Sequence, residues 1–495
     1  MKHFLLLGLL SFSAFGSERL TDSIPFPFYE VQREAEGKSN SMMILNSGLA
    51  SLELRLQLIR EARNNIELEY FIYGLDESSK LLTQELVLAA QRGVKVRMLI
   101  DKSAAVFEFD KYYAKVLSEY GIEVRYYNSA ALYRISSVQF RNHRKLISVD
   151  DTKAITGGRN IGNDYFDMSP SFNFLDTDVY VEGDIVKTLR LSFDEYFEDK
   201  ISERPKFPKE PRLSKSPNME KYTQRLTDAQ KFIKRTENDL ALLNQINELG
   251  QSALAKIQKH NCPETTYTTD RPGGNFSTRL IKKYSDDFRF VRKALFDKIN
   301  HVNKRVTLAS PYMINNKYSH LLMDDLLNKG IEIKLYTNSL ASTDAVYVAA
   351  NLYLDVPKWT REGIKIHVHN GLYLEGTTVL NDAIKKAKWG VHTKAQIYEY
   401  QDPSLNEIMI GTYNIDNRSN HYNNEMVLFC RGNEALIQEL KGNIEGLMEE
   451  GYEITAAGEA VDKEGNAVNV MGANPDNKLL MKLITLPSWL LKFLL

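Results

Sequence analysis

Residues 141–166 read RNHRKLISVDDTKAITGGRNIGNDYF and contain a basic motif, H-x-K-x4-D, formed by His143, Lys145 and Asp150. The apolar residues after Lys145 and the turn-like Asp150-Asp151 pair predict a strand, a tight turn and a second strand. Because side chains at i and i+2 of a strand share a face, we expect His143 and Lys145 to point into the same space. An imidazole beside a fixed ammonium suits attack on a phosphate, since the ammonium neutralises the oxyanions and the imidazole supplies the nucleophile or the proton.

The same pattern occurs a second time, in the sequence VHTKAQIYEYQDPSLNEIMIGTYN. Here His392 and Lys394 repeat the HxK, and Glu399 takes the acidic position in place of an aspartate. Each motif is followed by a GxxN element, which ends at Asn160 in the first copy and at Asn414 in the second. The interval before the second GxxN is longer and predicts a longer hairpin loop. A single HxKx4D can arise by chance in a basic strand before a turn, so the functional interpretation depends on the repetition.

These residues resemble the phospholipase D superfamily, whose members carry two HxKx4D motifs, and more closely its bacterial cardiolipin synthase-like members. GGRNIGNDYF after the first motif is similar to their sequence, and GTYNIDNRSNHYNNE at 411–425 fits a G[ST]xNxDxRSxxxNxE pattern. The resemblance covers residues from about 44 to about 451. It implies two α/β domains that face each other across a pseudo-twofold axis, with both HxK faces in one cleft.

The residues before each HxK strand alternate between strand-like and helix-like segments. The strand-like segments lie at 66–72, 93–100, 121–127, 306–309, 330–336 and 363–369, and the helix-like segments lie at 81–92 and 318–329. Such alternation is typical of an α/β sandwich with a largely parallel sheet. The predicted fold class is therefore α/β, and together with the resemblance it gives two phospholipase D-like sandwich domains with the active site at their interface.

Both ends of the chain differ in composition from the middle. Residues 1–16, MKHFLLLGLLSFSAFG, have a basic start, a short apolar run and a small-x-small site. This predicts a cleaved signal peptide, with an uncleaved membrane anchor as the alternative. Residues 477–495, NKLLMKLITLPSWLLKFLL, favour an amphipathic segment at a membrane surface over a helix docked on the core. We therefore expect an exported, periplasmic, membrane-associated protein.

The region between the two halves has its own composition. Four prolines among basic residues predict an exposed linker, and residues 228–259 then predict a helix that packs over the domains. The predicted segments are a signal peptide at 1–16, a first phospholipase D-like domain at 17–201, a linker with a helical insertion at 202–275, a second phospholipase D-like domain at 276–455, and a tail with the membrane-contacting segment at 456–495.

Charge and cysteine content limit the possible partners. The formal net charge is −1, whereas a nucleic-acid binder usually carries a basic excess, so no nucleic-acid partner is expected. The expected partners are a phospholipid substrate and a membrane surface. The two cysteines, Cys262 and Cys430, could pair in an exported protein. Because Cys430 ends an apolar strand-like run, the sequence favours a buried thiol.

Exchange of a phosphodiester needs a nucleophile, an acid for the leaving alcohol and cations for the phosphoryl oxygens. Two histidines and two lysines meet this need without a metal or another cofactor. From the residues alone, either histidine could be the nucleophile. The resemblance assigns that role to His143 and the acid/base role to His392. Lys145 and Lys394 would neutralise the phosphate, and the GxxN asparagines Asn160 and Asn414 would donate to its oxygens.

Each catalytic imidazole also needs a partner on its other nitrogen to fix its tautomer. Asp178 and Glu425 match the acidic positions that the family uses for this purpose, and both precede an apolar strand. Simple charge at a strand edge is the alternative for both residues. Asp150 and Glu399 are expected to brace their hairpins as structural supports rather than to touch substrate.

The resemblance thus predicts an enzyme that transfers a phosphatidyl group between phospholipids to make cardiolipin. Hydrolysis of phospholipid to phosphatidic acid is the close alternative, and a nuclease is more remote. A membrane-binding scaffold without catalysis would be expected to have a degraded second motif, and the intact His392 and Lys394 argue against it.

Overall fold

Two mixed β-sheets dominate the computed structural model, which describes residues 34–37, 40–103, 106–129, 139–211, 217–273, 288–314, 317–345, 352 and 356–468. Strands of the first sheet are, in spatial order, β10 (Ser202–Glu203), β5 (Glu123–Tyr127), β4 (Lys95–Asp101), β3 (Asn65–Tyr70), β6 (Leu146–Val149), β7 (Lys153–Gly157), β9 (Asp178–Gly183), β2 (Asn40–Leu45) and β11 (His260–Cys262). The strands β5, β4 and β3 are parallel to one another, and the HxK strand β6 joins β3 in the antiparallel sense.

The second sheet repeats this arrangement. Its strands are, in spatial order, β1 (Glu34–Gly37), β12 (Glu264–Thr269), β19 (Met426–Arg431), β18 (Glu407–Gly411), β17 (Ala395–Glu399), β13 (Arg305–Ala309), β14 (Glu332–Asn338), β15 (Lys365–His369), β20 (Tyr452–Ile454), β21 (Ala460–Val461) and β22 (Ala467–Val468). The order β5-β4-β3-β6-β7-β9-β2 thus corresponds to β15-β14-β13-β17-β18-β19-β12. This correspondence confirms the predicted α/β fold of two similar halves.

Helices cover the outer faces of both sheets and fill the space between them. They are α1 (Gly48–Glu61), α2 (Glu77–Gln91), α3 (Lys111–Ser118), α4 (Ile185–Glu198), α5 (Pro217–Ile233), α6 (Glu237–Leu254), α7 (Phe290–His301), α8 (Lys317–Asn328), α9 (Asn417–His421) and α10 (Glu434–Glu450). One outer core joins the first sheet to α1 and α2, and another joins the second sheet to α7 and α8. The central core lies between the sheets and includes apolar residues of α4 and α10.

The sequence of β3 explains how a sheet can be buried on both faces. Ile66, Leu68 and Tyr70 alternate along the strand and belong to the outer core. The intervening glutamates face the other way and are also buried, so each needs a cation. Glu67 pairs with Arg97 at 2.9 Å, and Glu69 pairs with Arg144 at 3.0 Å.

The two halves exchange edge strands. β1 comes from the start of the described chain yet pairs with β12 in the second sheet. β11 comes from the segment between the halves and pairs with β2 in the first sheet. Immediately after β11, the chain enters the second sheet as β12. The halves are therefore joined through their sheets as well as through their cores.

Cys262 of β11 and Cys430 of β19 form a disulfide, with a Cα–Cα distance of 5.9 Å. The favoured prediction of a buried thiol is therefore wrong, although both residues are buried as expected. The apolar run that ends at Cys430 lies in the second sheet, while Cys262 ends a strand of the first sheet. The disulfide consequently links the two sheets.

Several predicted boundaries differ from the structure. The stretch 228–259 contains parts of two helices, and α6 packs against α1 through Leu243 and Ile246. The second domain was predicted at 276–455. Both β12 and β22 belong to the second sheet, so the strands of this half run from Glu264 to Val468. The predicted signal peptide and the leucine-rich segment at 477–495 lie outside the described residues. Within the part that is described, no helix combines the length and the apolar character needed to cross a membrane.

Candidate active site

Both HxK motifs lie at the interface of the two halves, just before the strands β6 and β17. The backbone N–H of His143 donates to the carbonyl of Asn424 at 3.0 Å, across the interface. The backbone N–H of His392 donates to the carbonyl of Leu175 at 2.8 Å, in the equivalent place. The backbone of each histidine is thus hydrogen-bonded to the opposite half. His143 is bound by the segment before β19, and His392 by the segment before β9. The two motifs thus meet at the interface, as the resemblance implies.

The two lysines lie beside their histidines, as the i, i+2 spacing predicts. Lys145 Nζ donates to the carbonyl of His143 at 2.7 Å, and Lys394 Nζ donates to that of His392 at 2.5 Å. Burial and the charge of Lys394 lower the pKa of Lys145 to about 7. Burial lowers the pKa of Lys394 to about 8, against the charges of Asp176 and Glu425. Both ammonium groups are therefore poorly solvated, and an anion bound between them would stabilise their charges.

Glu425 of the second half orients His143 of the first. His143 Nδ1 lies 3.0 Å from Glu425 Oε2 and 3.1 Å from the carbonyl of Thr412. Because both neighbours are acceptors, Nδ1 carries the proton and Nε2 keeps a lone pair. Burial lowers the pKa of His143 to about 4, although the charge of Glu425 opposes the shift. His143 is consequently a neutral imidazole at pH 7, as a nucleophile must be.

The carboxylate of Glu425 is stabilised by hydroxyl donors of its own half. Thr412 Oγ1 and Ser419 Oγ donate to it at 2.5 and 2.7 Å. Burial alone would raise the pKa of Glu425, but the hydrogen bond with the His143 ring, the charge of Lys145 and the hydrogen bond from Thr412 outweigh burial and leave the pKa below its usual value. Glu425 is thus ionised, which holds the proton of His143 on Nδ1.

Asp176 of the first half orients His392 of the second. Asp176 Oδ2 lies 2.5 Å from His392 Nδ1. Burial raises the pKa of Asp176, although the charge of Lys394 opposes this shift. Burial and the charges of Lys394 and Lys145 lower the pKa of His392 well below its usual value. The pair therefore titrates as a unit, and a proton that it takes up can lie on either partner.

The prediction that Asp178 orients a catalytic histidine is wrong. Its carboxylate accepts from Ser51 Oγ at 2.7 Å and pairs with Arg55 at 2.9 Å, both on α1. It also accepts from the backbone N–H of Arg159. Asp178 is thus occupied by an ion pair within the core of the first half, and Asp176, two residues earlier, makes the contact with the histidine.

The strand register shows why Asp176 is the counterpart of Glu425. Gly157 pairs with Asp178, and the equivalent Gly411 pairs with Val427. Asp178 therefore corresponds to Val427 and Asp176 to Glu425. A signal for this lies in the sequence, because a glycine follows each acidic residue by seven positions: Gly183, the last residue of β9, follows Asp176, and Gly432, the residue after β19, follows Glu425. The intervals counted from the GxxN elements are unequal, because Asp176 follows Asn160 by 16 residues and Glu425 follows Asn414 by 11, so they do not identify the equivalent residue.

The GxxN asparagines lie close to the HxK residues but differ in their contacts. Asn160 Oδ1 accepts from the backbone N–H of Ile72 at 3.2 Å, and its side chain is hydrogen-bonded to Tyr165. Asn414 is buried, and its Oδ1 has no hydrogen-bond partner among the described residues. Asn160 therefore has a structural contact that the sequence did not indicate, while donation of either amide to a phosphate stays a prediction.

The two acidic residues of the HxKx4 motifs make contacts away from the histidines. Asp150 accepts from the backbone N–H groups of the loop before β3, at residues 63–65. Glu399 pairs with Arg305 at 3.2 Å and with Lys441 at 3.0 Å. These contacts fit the expected role of structural support for both residues.

Aromatic rings form a wall around the histidines, which the motif analysis missed. Phe71 lies edge-on to His143, with ring centroids 5.3 Å apart. Tyr165 and Phe174 lie against His392, at 5.2 and 4.8 Å. These rings exclude water and explain the low histidine pKa values through desolvation. Among the residues that the structure describes, no group of three His, Cys, Asp or Glu side chains is arranged to hold a metal ion.

Two buried histidines, each beside a lysine and each oriented by a carboxylate of the opposite half, define an enzyme that acts on phosphodiesters. The family model for the cardiolipin synthase, PLD-like domain matches residues 56–197 and 295–448. The chain belongs to this family, within the phospholipase D superfamily, and is a phospholipase D-type phosphatidyltransferase or phosphodiesterase. Membership of the family implies a phospholipid substrate.

Relatives and a solved structure support the same assignment. An uncharacterised protein of Helicobacter pylori is 28% identical over 79% of this chain and 76% of its own length. Cardiolipin synthase C of Escherichia coli is 26% identical over 77% of this chain and 79% of its own. The crystal structure of phosphatidylserine synthase from Haemophilus influenzae is 13% identical, has a TM-score of 0.62, and covers 92% of this chain and 95% of its own. That structure shows a shared fold.

Proposed function

We propose that this protein transfers a phosphatidyl group between phospholipids to make cardiolipin, through a phosphohistidine intermediate on His143. The observation that carries the proposal is the pairing of the two histidines with carboxylates of opposite halves. One pair holds a neutral imidazole with a lone pair on Nε2, and the other places the carboxylate of Asp176 against His392 Nδ1, an arrangement that can take up and release a proton. The relatives named cardiolipin synthase favour this phospholipid chemistry.

In the first step, His143 Nε2 attacks the phosphorus of a phospholipid. The P–N bond forms as the bond to the headgroup oxygen breaks, and the Asp176–His392 pair gives a proton from His392 Nε2 to the leaving alcohol. Lys145 and Lys394 neutralise the phosphoryl oxygens as negative charge builds up on them. The bound phosphate anion favours the proton on His392 rather than on Asp176, because opposite charges stabilise each other in a buried site.

In the second step, an alcohol attacks the phosphohistidine. His392 takes its proton, the new P–O bond forms, and the P–N bond breaks to return neutral His143. A hydroxyl group of a second phospholipid gives cardiolipin, whereas water gives phosphatidic acid. Phe71, Tyr165 and Phe174 favour transfer over hydrolysis, because apolar walls limit access of water to the intermediate.

We also propose that the protein is exported and associated with a membrane. The disulfide between Cys262 and Cys430 supports export, since disulfides persist in oxidising compartments such as the periplasm. The leucine-rich segment at 477–495, which lies outside the described residues, would contact the membrane through its apolar face and its three lysines. A chain truncated after Asp476 should lose binding to anionic liposomes and still cleave a short-chain soluble phospholipid. Unchanged liposome binding would show that the segment has another role.

The reaction is tested by incubating the purified protein with phosphatidylglycerol vesicles and analysing the products by mass spectrometry. We expect cardiolipin and free glycerol as the main products and phosphatidic acid as a minor one. An added primary alcohol should divert the intermediate to the phosphatidyl alcohol. Phosphatidic acid as the sole product, with alcohol present, would assign the protein to the hydrolases. Cleavage of DNA or RNA without action on lipid would reject both assignments.

A further inference from the structure

A short loop of the second half carries one more polar side chain beside the segment that leads into His392. Asp344 lies directly after the buried residue Thr343 and directly before the buried residue Ala345, and its own side chain is exposed. Both of its carboxylate oxygens lie 2.9 Å from Tyr312 Oη. Tyr312 also packs with Ala345 and Ile314. The carboxylate is therefore presented to solvent by a fixed backbone and is oriented by a phenol.

This loop is tied to the strand that leads into His392. Ser342 Oγ donates to Asn338 Oδ1 at 2.9 Å, and Asn338 binds both the N–H and the carbonyl of Val391, each at 2.7 Å. Lys388 Nζ donates to the carbonyl of Thr343 at 2.9 Å. These bonds fix the position of the loop relative to the residue before His392.

The approach of the loop also depends on Gly390. A Cβ at this position would lie 2.4 Å from the carbonyl oxygen of Ser342, so only glycine allows the backbones to come so close. The backbone directly before Asp344 is consequently held against the segment that leads into His392.

The charge of Asp344 acts on the same site. It raises the pKa of Lys394 and of Lys388, although burial lowers both pKa values overall. A carboxylate repels a phosphate anion, so Asp344 does not serve the phosphoryl oxygens. It suits a group on the other side of the scissile bond, the alcohol that His392 protonates or deprotonates.

We propose that Asp344, held by Tyr312, forms a subsite for a hydrogen-bond donor carried by the alcohol beside its reacting oxygen. Both a second hydroxyl and an ammonium group fit this description. The inference rests on the proposed transfer reaction and specifies which alcohols enter it. A site that binds such a donor rejects an alcohol without one, because its carboxylate would then lose water without a replacement.

The test is a competition between alcohols for the phosphatidyl group. The full-length protein receives short-chain phosphatidylglycerol together with equal concentrations of deuterated glycerol, ethanolamine and 1-propanol, and the phosphatidyl alcohols are quantified by mass spectrometry. The amount of phosphatidyl alcohol formed from deuterated glycerol, or from ethanolamine, should exceed the amount formed from 1-propanol by about tenfold or more. The larger ratio identifies a hydroxyl or an ammonium as the preferred donor. Because ratios are compared, the overall rate of a variant does not affect the result.

Asp344→Asn should bring both ratios close to one, and Tyr312→Phe should lower them in part, since it removes the hydroxyl that orients the carboxylate. The matched control is Asp382→Asn, which changes an exposed carboxylate of the same half that pairs with Lys385 and should keep the wild-type ratios. Wild-type ratios in Asp344→Asn, or ratios near one in the unmodified protein, would overturn the inference. Absence of every phosphatidyl alcohol would instead reject the proposed transfer reaction.

Discussion

Asp176 Oδ2 lies 2.5 Å from His392 Nδ1, although the two residues belong to opposite halves of the molecule. In the equivalent pair, Glu425 Oε2 lies 3.0 Å from His143 Nδ1. Neither half therefore contains a complete catalytic unit, because each supplies the histidine for one pair and the carboxylate for the other. The exchanged edge strands and the disulfide hold the halves in the arrangement that this sharing requires.

Replacement of Asp176 should impair proton transfer with little effect on stability. In Asp176→Asn the proton on His392 loses its charged partner, so we expect kcat to fall by about a hundredfold or more. The decrease should be smaller for a substrate whose leaving alcohol is a good leaving group, since that alcohol needs less protonation. Steady-state kinetics with a nitrophenyl and an alkyl phosphodiester measure this difference. Equal losses on both substrates would contradict a role in proton transfer.

Asp178→Asn provides the contrast to Asp176→Asn. This substitution leaves Arg55 buried without its anion, so the free energy of unfolding should fall by about 3–5 kcal/mol. Urea denaturation measures the loss. If Asp178→Asn instead kept its stability and showed the kinetic defect expected for Asp176→Asn, the assignment of the two carboxylates would be reversed.

The pH dependence of kcat/KM should report the buried lysines. The pKa of Lys145 is lowered to about 7 and that of Lys394 to about 8, and each lysine neutralises phosphate only while protonated. The activity should therefore decline as pH rises through about 7 to 8. At the acid end, His143 loses its nucleophilic lone pair only near its pKa of about 4. Rates on a short-chain phospholipid between pH 4 and pH 10 test this, and a constant rate up to pH 10 would contradict it.

Glu399 should stabilise its hairpin without taking part in the reaction. Glu399→Gln weakens the pairs with Arg305 and Lys441, and we expect a loss of about 1–3 kcal/mol in the free energy of unfolding. Glu61→Gln is the matched control, because its pair with Lys153 is exposed and should contribute under about 1 kcal/mol. An unchanged melting temperature together with a loss of turnover by orders of magnitude would show that Glu399 belongs to the catalytic machinery.

The disulfide should contribute substantially to stability. Replacing both Cys262 and Cys430 by serine should lower the free energy of unfolding by about 2–5 kcal/mol, because the link closes a loop of 168 residues and joins the two sheets. Both cysteines are buried, so a mild reductant should leave the folded protein unchanged. Free thiols in the protein isolated from its native compartment would contradict the disulfide there.

The sequence predicted the features that depend on local patterns. Alternating strands and helices indicated the α/β halves, and the i, i+2 spacing of His143 and Lys145 predicted their shared face. The exchange of β1 and β11 was not predictable in this way, because both strands are short and pair with partners that are distant in the chain. The pairing of Cys262 with Cys430 depends on the same exchange.

The error over Asp178 has a similar cause. Asp176 and Asp178 both precede an apolar strand, and their local sequence does not separate them. The difference arises from tertiary contacts, since Arg55 on α1 binds Asp178 and leaves Asp176 to face the other half. The register of β9 against β7, compared with that of β19 against β18, identifies the equivalent residue and shows that Gly183 and Gly432 are the glycines from which to count.

The central claim is that His143 is the nucleophile and that the Asp176–His392 pair handles the proton. Its most direct test is the isolation of the covalent intermediate in a His392→Ala variant incubated with a short-chain phosphatidyl ester of nitrophenol, quenched at alkaline pH and analysed by peptide mass spectrometry. We expect a phosphatidyl adduct on His143, since nitrophenolate leaves without a proton from His392 and the second step lacks its base. His143→Ala should form no adduct. An adduct on His392 in the His143→Ala variant, with none on His143 in the His392→Ala variant, would reverse the assignment and contradict the account.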